Sequence, residues 1–513
     1  MALSRRVPRR QGSRVALAIA SGLLFAASFA PLGAWPLAFA VLAPLVVALD
    51  GVSAPRGALL GWIAGTVGST LATGPWITAA TARYFDTGPI GALGFAFGVG
   101  QLFHAWAVVV FGALAPGLLR TPSVVLRALG VAAAWTACEF ARSTWLTGAP
   151  WNLLAHAVHA QASLIQGADL GGAYVVSFVL ALVGAALGIA WNEAGAPRRT
   201  ALATGAVVLV VSVTYGGARL AGEHDGAPTL PVALVQGNVP NAWREQTAHA
   251  ADAFEAFAAA TRPVLAQRPA LIVWSENALS FVLAPNERFR DAIASLLGAD
   301  GPVLLLGGPR YEQRVPGHVD FFNSAHLLDA DAAVLAVYDK RRLVPFAEYA
   351  PVRGVPGLGW RFDAPGAYTP GGPPVVFSRP APFGVLICYE AIYPRLARDL
   401  ARAGARFLVN ISNDAWFGTS AGLEQHFAAS VFRAVETRRA LARGTNTGIT
   451  ALVGPSGRII ARFPTGQRRA WVVDVPLRDD VTPYARLGDV FAWTSVGATL
   501  LLLAAQRVRT RTP

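Results

Sequence analysis

Apolar runs at 15–33, 34–50, 57–80, 91–117, 125–146, 170–191, 201–217 and 488–505 govern what this chain can fold into. Each is roughly the 17 to 25 residues that cross the hydrocarbon of a bilayer. The boundary between the first two rests on PLGAWP alone. The start, MALSRRVPRRQGSR before an apolar run and ASFAP, has the form of a signal peptide. Further spans follow at once, so an uncleaved first helix is expected. With 54% hydrophobic and 14% charged residues and a mean hydropathy of +0.44, the chain is too apolar for an ordinary soluble enzyme.

The net charge of +13 invites a nucleic-acid reading, but the placement of the arginines opposes it. Arg5, Arg6, Arg9, Arg10 and Arg14 precede the first run, and Arg56, Arg120, Arg127, Arg198, Arg199, Arg507, Arg509 and Arg511 lie at alternate run ends. Charges so placed set topology under the positive-inside rule. Eight spans with both termini in the cytoplasm follow, and residues 218–487 fall outside. The intervening loops carry little beyond Arg83 and Arg142. Glu139 and Arg142, three apart near the end of the fifth run, read as interface anchors. Three domains are expected: spans one to seven in 1–217, an extracytoplasmic domain in 218–487, and the eighth span with its tail in 488–513.

Within 218–487 the pattern changes. PVALVQGN, ALIVWSEN, PVLLLGG, SAHLLD, AVLAVYDK, FGVLICYE, RFLVNISND and GITALVGP read as strands bounded by Gly, Pro, Asn or Asp. AADAFEAFAAATRPVLAQ, ERFRDAIASLL, YPRLARDLARAGA and EQHFAASVFRAVETRRALA have helical spacing. This alternation predicts an α/β layered domain. The Gly/Pro loop 356–374, with Leu358, Trp360 and Phe362, is long enough to act as a lid that dips into the outer leaflet.

Three strand ends carry reactive side chains: Glu276 after ALIVW, Lys340 after AVLAVYD and Cys388 after FGVLI. Lys340 is the sole lysine among 43 basic residues. A lysine ammonium is a compact point charge, whereas arginine presents a wide planar fork. A thiol is a modest nucleophile until it loses its proton, so Glu276 could act as general base while Lys340 stabilises an oxyanion. Cys138 lies in an apolar run and reads as a small buried hydrophobe. Two cysteines make no disulfide framework. His156 and His159 lack the companions of a metal site, and no glycine-rich phosphate loop is present. No cofactor is expected. A transporter would show repeats and mid-span charges, which this chain does not.

The Glu, Lys, Cys order resembles the nitrilase (carbon-nitrogen hydrolase) superfamily. WSEN, YDKRRLVPFAEYAP, GVLICYEAIYP, NISNDAWFG and RAVETRRALARGTNTGIT, with TGAPWNLLAH in the membrane half, resemble the bacterial apolipoprotein N-acyltransferase family. That resemblance implies a polytopic α-helical membrane protein of eight spans with an inserted nitrilase-like α-β-β-α sandwich. It also implies the inner membrane, with the catalytic domain on the periplasmic side. Cys388 would take an acyl chain from a phospholipid, typically phosphatidylethanolamine, as a thioester, and pass it to the α-amine of a diacylglyceryl apolipoprotein cysteine. Glu276 would be the base and Lys340 the oxyanion partner. Glu348 would orient these two. Glu390, two residues past the thiol and on the same side of an extended segment, matches another functional acid. Tyr389 and Trp416 match residues near the thiol and the incoming substrate, and Trp243 a lipid-facing residue. A monomer is expected. The alternative is a membrane-tethered amidase or nitrilase with the same triad, in which water resolves the intermediate.

Overall fold

The computed structural model describes residues 11–84, 87–222, 226–240, 249–283, 286–315, 317–349 and 368–509. The chain divides into two compact units. One comprises Met1–Glu223, Thr419–Phe432 and Leu487–Pro513, and the other His224–Gly418 and Arg433–Arg486.

In the first unit, five helices among the described residues are long and apolar enough to cross a membrane: Gly88–Leu118, Val124–Thr144, Ala173–Asn192, Gly195–Ala221 and Val490–Arg509. Gln11–Ser28 and Ala54–Ala72 reach 18 and 19 residues, but Arg14 or Arg56 near the start and many small residues make them less apolar. The run expected at 34–50 departs most from its prediction. It forms a 3-10 turn, Trp35–Phe39, and then the short helix Leu42–Leu49. The apolar helical stretch Trp35–Leu49 would extend only about 22 Å, against about 30 Å of hydrocarbon. Pro31 and Pro36, which lack an N–H to donate, keep it from continuing the first helix.

Close packing of these helices rests on small residues. Gly57 and Gly61 of Ala54–Ala72 lie against Gly112 and the Val108 carbonyl of Gly88–Leu118, where any Cβ would overlap backbone. Helices in lipid gain little from apolar burial against each other, so close backbone approach supplies the attraction.

Glu139 and Arg142 are buried, which corrects their reading as interface anchors. Arg142 donates to the carbonyls of Ala149, Trp151 and Asn152 at 2.8–3.0 Å, and Glu139 accepts from Leu154 N–H at 2.7 Å. The pair staples the loop after its helix; its side chains are 3.8 Å apart. A helix C-terminus leaves carbonyls unsatisfied, and here a basic side chain fills the following turn instead of facing water.

Gln425 organises a second polar cluster in the same unit. Its Oε1 accepts from Trp76 Nε1, Trp151 Nε1 and Asn152 Nδ2 at 2.9–3.2 Å, and its Nε2 donates to the carbonyls of Ala30 and Ala72. Gln425 belongs to the helix Gly422–Thr437, whose first residues form part of this unit while its last part belongs to the other. Five partners lose a bond if this one side chain goes, two of them (Asn152 and Ala72) buried and three half-buried, and each group left unsatisfied away from water costs about 1–3 kcal/mol. Gln425→Leu should therefore lower the thermal midpoint in detergent by many degrees, with a loss on the order of 3 kcal/mol or more; an unchanged midpoint would show the cluster to be dispensable.

The second unit is a sandwich of two six-stranded sheets. The first sheet has the order β12-β1-β2-β3-β4-β5 and the second β11-β10-β9-β8-β7-β6. The strands are β1 Thr229–Gln236, β2 Leu271–Val273, β3 Val303–Val315, β4 His318–Leu328, β5 Val334–Asp339, β6 Val376–Phe377, β7 Phe383–Ile387, β8 Phe407–Ser412, β9 Leu441–Thr445, β10 Ala451–Val453, β11 Ile459–Arg462 and β12 Arg469–Pro476. β1, β2 and β3 run parallel, as do β7, β8 and β9, and the outer pairs are antiparallel.

Alternation along the strands builds two cores. Val232, Leu234, Val273 and Leu305 meet Val385, Ile387, Val409 and Ile411 between the sheets. Ile272, Trp274, Leu304 and Leu306 face the helices Ala250–Leu265 and Glu287–Leu297 on the outside. All eight predicted strand segments contain a strand. The helix predicted to run to Ala442 ends at Thr437, because Arg438 turns into the left-handed region (φ 52°) and Leu441–Thr445 joins the sheet as β9.

Candidate active site

Strand direction gathers the reactive residues. β2 and β3 are parallel, and two antiparallel steps through β4 restore that direction in β5, so the C-terminal ends of β2 and β5 lie at the same end of the first sheet. Glu276 follows β2 and Lys340 follows β5 directly. Their side chains meet, with Lys340 Nζ 3.0 Å from Glu276 Oε1. The close approach of Gly307 N–H to the Ser275 carbonyl, at 3.2 Å, packs β3 against the Glu276 turn; a Cβ on Gly307 would lie 2.6 Å from the Glu276 Cα.

Cys388 comes from the second sheet, one residue beyond β7. Its φ of 51° is unusual for a residue with a Cβ. Such strain is stored where the surrounding structure fixes it, as at the sharp strand-to-helix turns that expose nucleophiles. Ile387 pairs with Ile411 in register, which puts Ser412 beside the thiol. The Ser412 hydroxyl donates to Asp414 at 2.7 Å, and Asp414 is paired with the fully buried Arg443.

Lys340 is 1% exposed and has a second carboxylate, Glu348 Oε1, at 2.9 Å. Burial by itself would lower its ammonium, but Glu276, Glu348 and the nearby Cys388 outweigh that and hold it well above the ordinary lysine range. The cation therefore stays charged at every physiological pH. Burial pushes the Cys388 thiol up, and the Glu276 carboxylate pushes it further against the opposing pull of Lys340. The resting sulfur is thus a neutral thiol that needs a base.

The two carboxylates are each fixed by several donors. Glu276 Oε1 accepts from Lys340 Nζ and from Asn323 Nδ2 at 2.7 Å, whereas Oε2 accepts from Asn413 N–H at 2.9 Å. Both oxygens of Glu276 are thus held in place by donors from three different segments of the chain. Glu348 accepts from Lys340, Asn323 and Val344 N–H.

Glu390 departs from its expected position. Cys388–Ile392 is a 3-10 helix and not an extended segment, so a residue two places on turns to another face. Its carboxylate is fully buried and accepts from Ile387 N–H, Arg341 N–H, Arg342 N–H and the Tyr338 hydroxyl at 2.7–3.1 Å. Burial raises its carboxyl above the ordinary range although those donors oppose the shift. Glu390 thereby ties the turn after β5, in one sheet, to the end of β7, in the other.

Tyr389 packs edge-on against Tyr393 with ring centroids 5.2 Å apart; burial pushes its phenol up to about 12. Trp416 sits partly buried in the 3-10 turn Asp414–Phe417. Trp243 lies outside the described residues, as do Leu358, Trp360 and Phe362 of the Gly/Pro loop. The described end of that loop is tied down: Tyr368 N–H donates to the Glu348 carbonyl and Gly371 N–H to the Lys340 carbonyl.

Sequence reasoning missed Asn323, Tyr338 and the Asn413 N–H. Asn323 and Tyr338 stand inside strands whose period-2 pattern marks them as inward-facing, and a polar side chain on an inward face is the signal that was there to read.

The sign of each thiol shift makes a prediction. In Glu276→Gln the carboxylate that raises Cys388 is gone, so its pH-dependent alkylation should move down; in Lys340→Met it should move up. Because the folded value is raised, the stability that comes with the neutral thiol is complete below about 8.5 and declines as pH climbs through the folded value. Opposite or absent movement of the alkylation profiles would disprove this electrostatic picture.

Comparison with known proteins adds the following. The carbon-nitrogen hydrolase family matches residues 231–485, and the apolipoprotein N-acyltransferase N-terminal domain matches residues 21–186. The apolipoprotein N-acyltransferase of Geobacter metallireducens is 32% identical over 507 residues, covering 97% of this chain and 95% of its own. That of Caulobacter vibrioides is 34% identical over 520 residues, covering 94% and 93%. Among solved structures, an amidase from Nesterenkonia sp. is 20% identical with a TM-score of 0.38, covering 53% of this chain and 98% of that one.

Proposed function

The chain belongs to the apolipoprotein N-acyltransferase family, and from that premise we propose that it transfers a phospholipid acyl chain through Cys388 to the α-amino group of an S-diacylglyceryl cysteine on a lipoprotein. The observation that carries this reading is the buried Lys340 between Glu276 and Glu348, with the neutral Cys388 thiol within reach of their charges.

In the first half of the reaction, Glu276 takes the thiol proton as sulfur attacks the ester carbonyl of the phospholipid. Two N–H groups of Lys340 are engaged by carboxylates, and the third is left for the tetrahedral oxyanion. One such donor is worth about 3–4 kcal/mol in acyl-transfer sites. Collapse of the intermediate expels the lysophospholipid alcohol, which takes the proton back from Glu276 and leaves a thioester. In the second half, the amine attacks the thioester, gives its proton to Glu276, and the proton returns to sulfur. An α-amine with a pKa near 8 is neutral often enough at pH 7 to do this.

The fusion to membrane helices has a physical reason. Each buried methylene is worth about 0.8 kcal/mol, so neither the donor nor the product leaves the bilayer easily and the site must go to the lipid. The arginine placement supports eight spans, the second made by the short Trp35–Leu49 stretch together with the apolar turn before it, with both termini in the cytoplasm of a bacterium, residues 1–217 and 488–513 in the inner membrane, and 218–487 on the periplasmic side as the catalytic domain. Phosphatidylethanolamine is the proposed donor, and the proposed enzyme is a monomer. In this scheme Glu348 orients Lys340, Glu390 and Tyr389 hold the turn that carries the thiol, and Trp416 and Trp243 meet the substrates. A membrane-tethered hydrolase is the weaker reading, because relatives matching nearly end to end carry the acyltransferase name.

On mixing with phospholipid vesicles, the intact protein should gain one fatty acyl mass and release lysophospholipid in equal amount, and Cys388→Ala should do neither. Acyl uptake by that variant would remove Cys388 from the reaction. Lys340→Arg keeps the charge but not the point geometry, so its acylation rate should fall at least 100-fold, a loss of about 2.7 kcal/mol; near-normal turnover would refute the role of a compact cation.

A further inference from the structure

Asn323 is the uncharged member of the cluster around Lys340. It stands on β4, 1% exposed, and its backbone carbonyl accepts from Lys340 N–H at 2.8 Å. Its Nδ2 donates to Glu276 Oε1 at 2.7 Å and to Glu348 Oε1 at 3.0 Å. Those are the same two oxygens that accept from Lys340 Nζ. Two donors thus bridge two acceptors in a closed ring. The amide orientation is fixed by its surroundings, since flipping it would set oxygen against two carboxylate oxygens.

The other end of the amide is not satisfied. Asn323 Oδ1 is buried and has no hydrogen-bond partner among the described residues. A bare buried acceptor opposes folding, and a small apolar residue would avoid that cost. What the asparagine supplies in return is two N–H groups on one atom with no charge. With Lys340 charged and both carboxylates ionised, the ring carries one net negative charge, and a proton arriving from the thiol brings it to zero. A second cation in place of Asn323 would make the ring neutral beforehand and weaken Glu276 as a base. An aspartate would add a third carboxylate and trap a proton.

We propose that Asn323 is a positioning residue for proton transfer at Glu276: a neutral double donor that sets both carboxylates against Lys340 without cancelling their charge. This rests on the reading that Glu276 takes the Cys388 proton. The test is the pH dependence of single-turnover acylation of Cys388 from phosphatidylethanolamine vesicles, followed by intact mass, in the full-length protein.

In Asn323→Ala, loss of a donor to the ionised carboxylate should move the acid limb up by about one pH unit, with at least tenfold slower acylation at pH 7 and less than twofold change in the lipid concentration for half-maximal rate. The nearly isosteric Asn323→Asp should move the limb further up. The position of the limb does not depend on how much enzyme folds, so a poorly folding variant still reports. Wild-type limbs in both variants, with only the amplitude reduced, would overturn the proposal and leave Asn323 a packing residue. If the wild type never acquires an acyl mass on Cys388, the acyl-transfer reading fails and takes this proposal with it.

Discussion

A lysine ammonium removed from water and held between two carboxylates is the interaction on which the catalytic unit depends. Burying an ion costs several kcal/mol, and leaving one partner of a buried pair alone costs about 3–5 kcal/mol. Lys340 is therefore held in place by Glu276 and Glu348 as firmly as it holds them. The carboxylates in turn are fixed by main-chain N–H groups of Asn413 and Val344. Few side-chain rotations remain open to such a cluster, and low freedom before reaction is what lets a charge stabilise a transition state without reorganising.

The thiol belongs to the other sheet, so the two halves of the sandwich must be held in register. Core contacts such as Val273 and Leu305 with Val385 and Ile387 bring the sheets together without specifying their offset to the last ångström. Glu390 supplies direction, because hydrogen bonds from the end of β7 and from the turn after β5 converge on one buried carboxylate. The strained backbone at Cys388 and the row Ser412, Asp414, Arg443 behind it complete the fix. A carboxylate two residues from the proposed nucleophile thus acts on backbone placement, not on the sulfur.

Much of this was legible in the sequence. Apolar runs bounded by turn residues located the strands, and reactive side chains at three strand ends pointed to one edge of an α/β sheet. What escaped had physical causes. A length criterion does not foresee the break at Trp35–Leu49, where prolines divide one apolar run into a 3-10 turn and a short helix. Arg142 looked like an interface charge because its three carbonyl partners lie in an irregular loop that no periodicity predicts. The pattern could flag Asn323 but not its partners, which follow β2 and β5 and are brought to it by strand pairing.

The central claim is that one sulfur receives the acyl chain and then gives it up to an amine. A chase on preloaded enzyme tests this most directly: the protein is charged with isotopically labelled acyl chain, freed of donor lipid, and mixed with an S-diacylglyceryl cysteine peptide. The label should leave Cys388 and arrive as an amide on the peptide at one common rate, mole for mole. Label that stays on the enzyme while acylated peptide accumulates, or that departs as free fatty acid, would contradict the account.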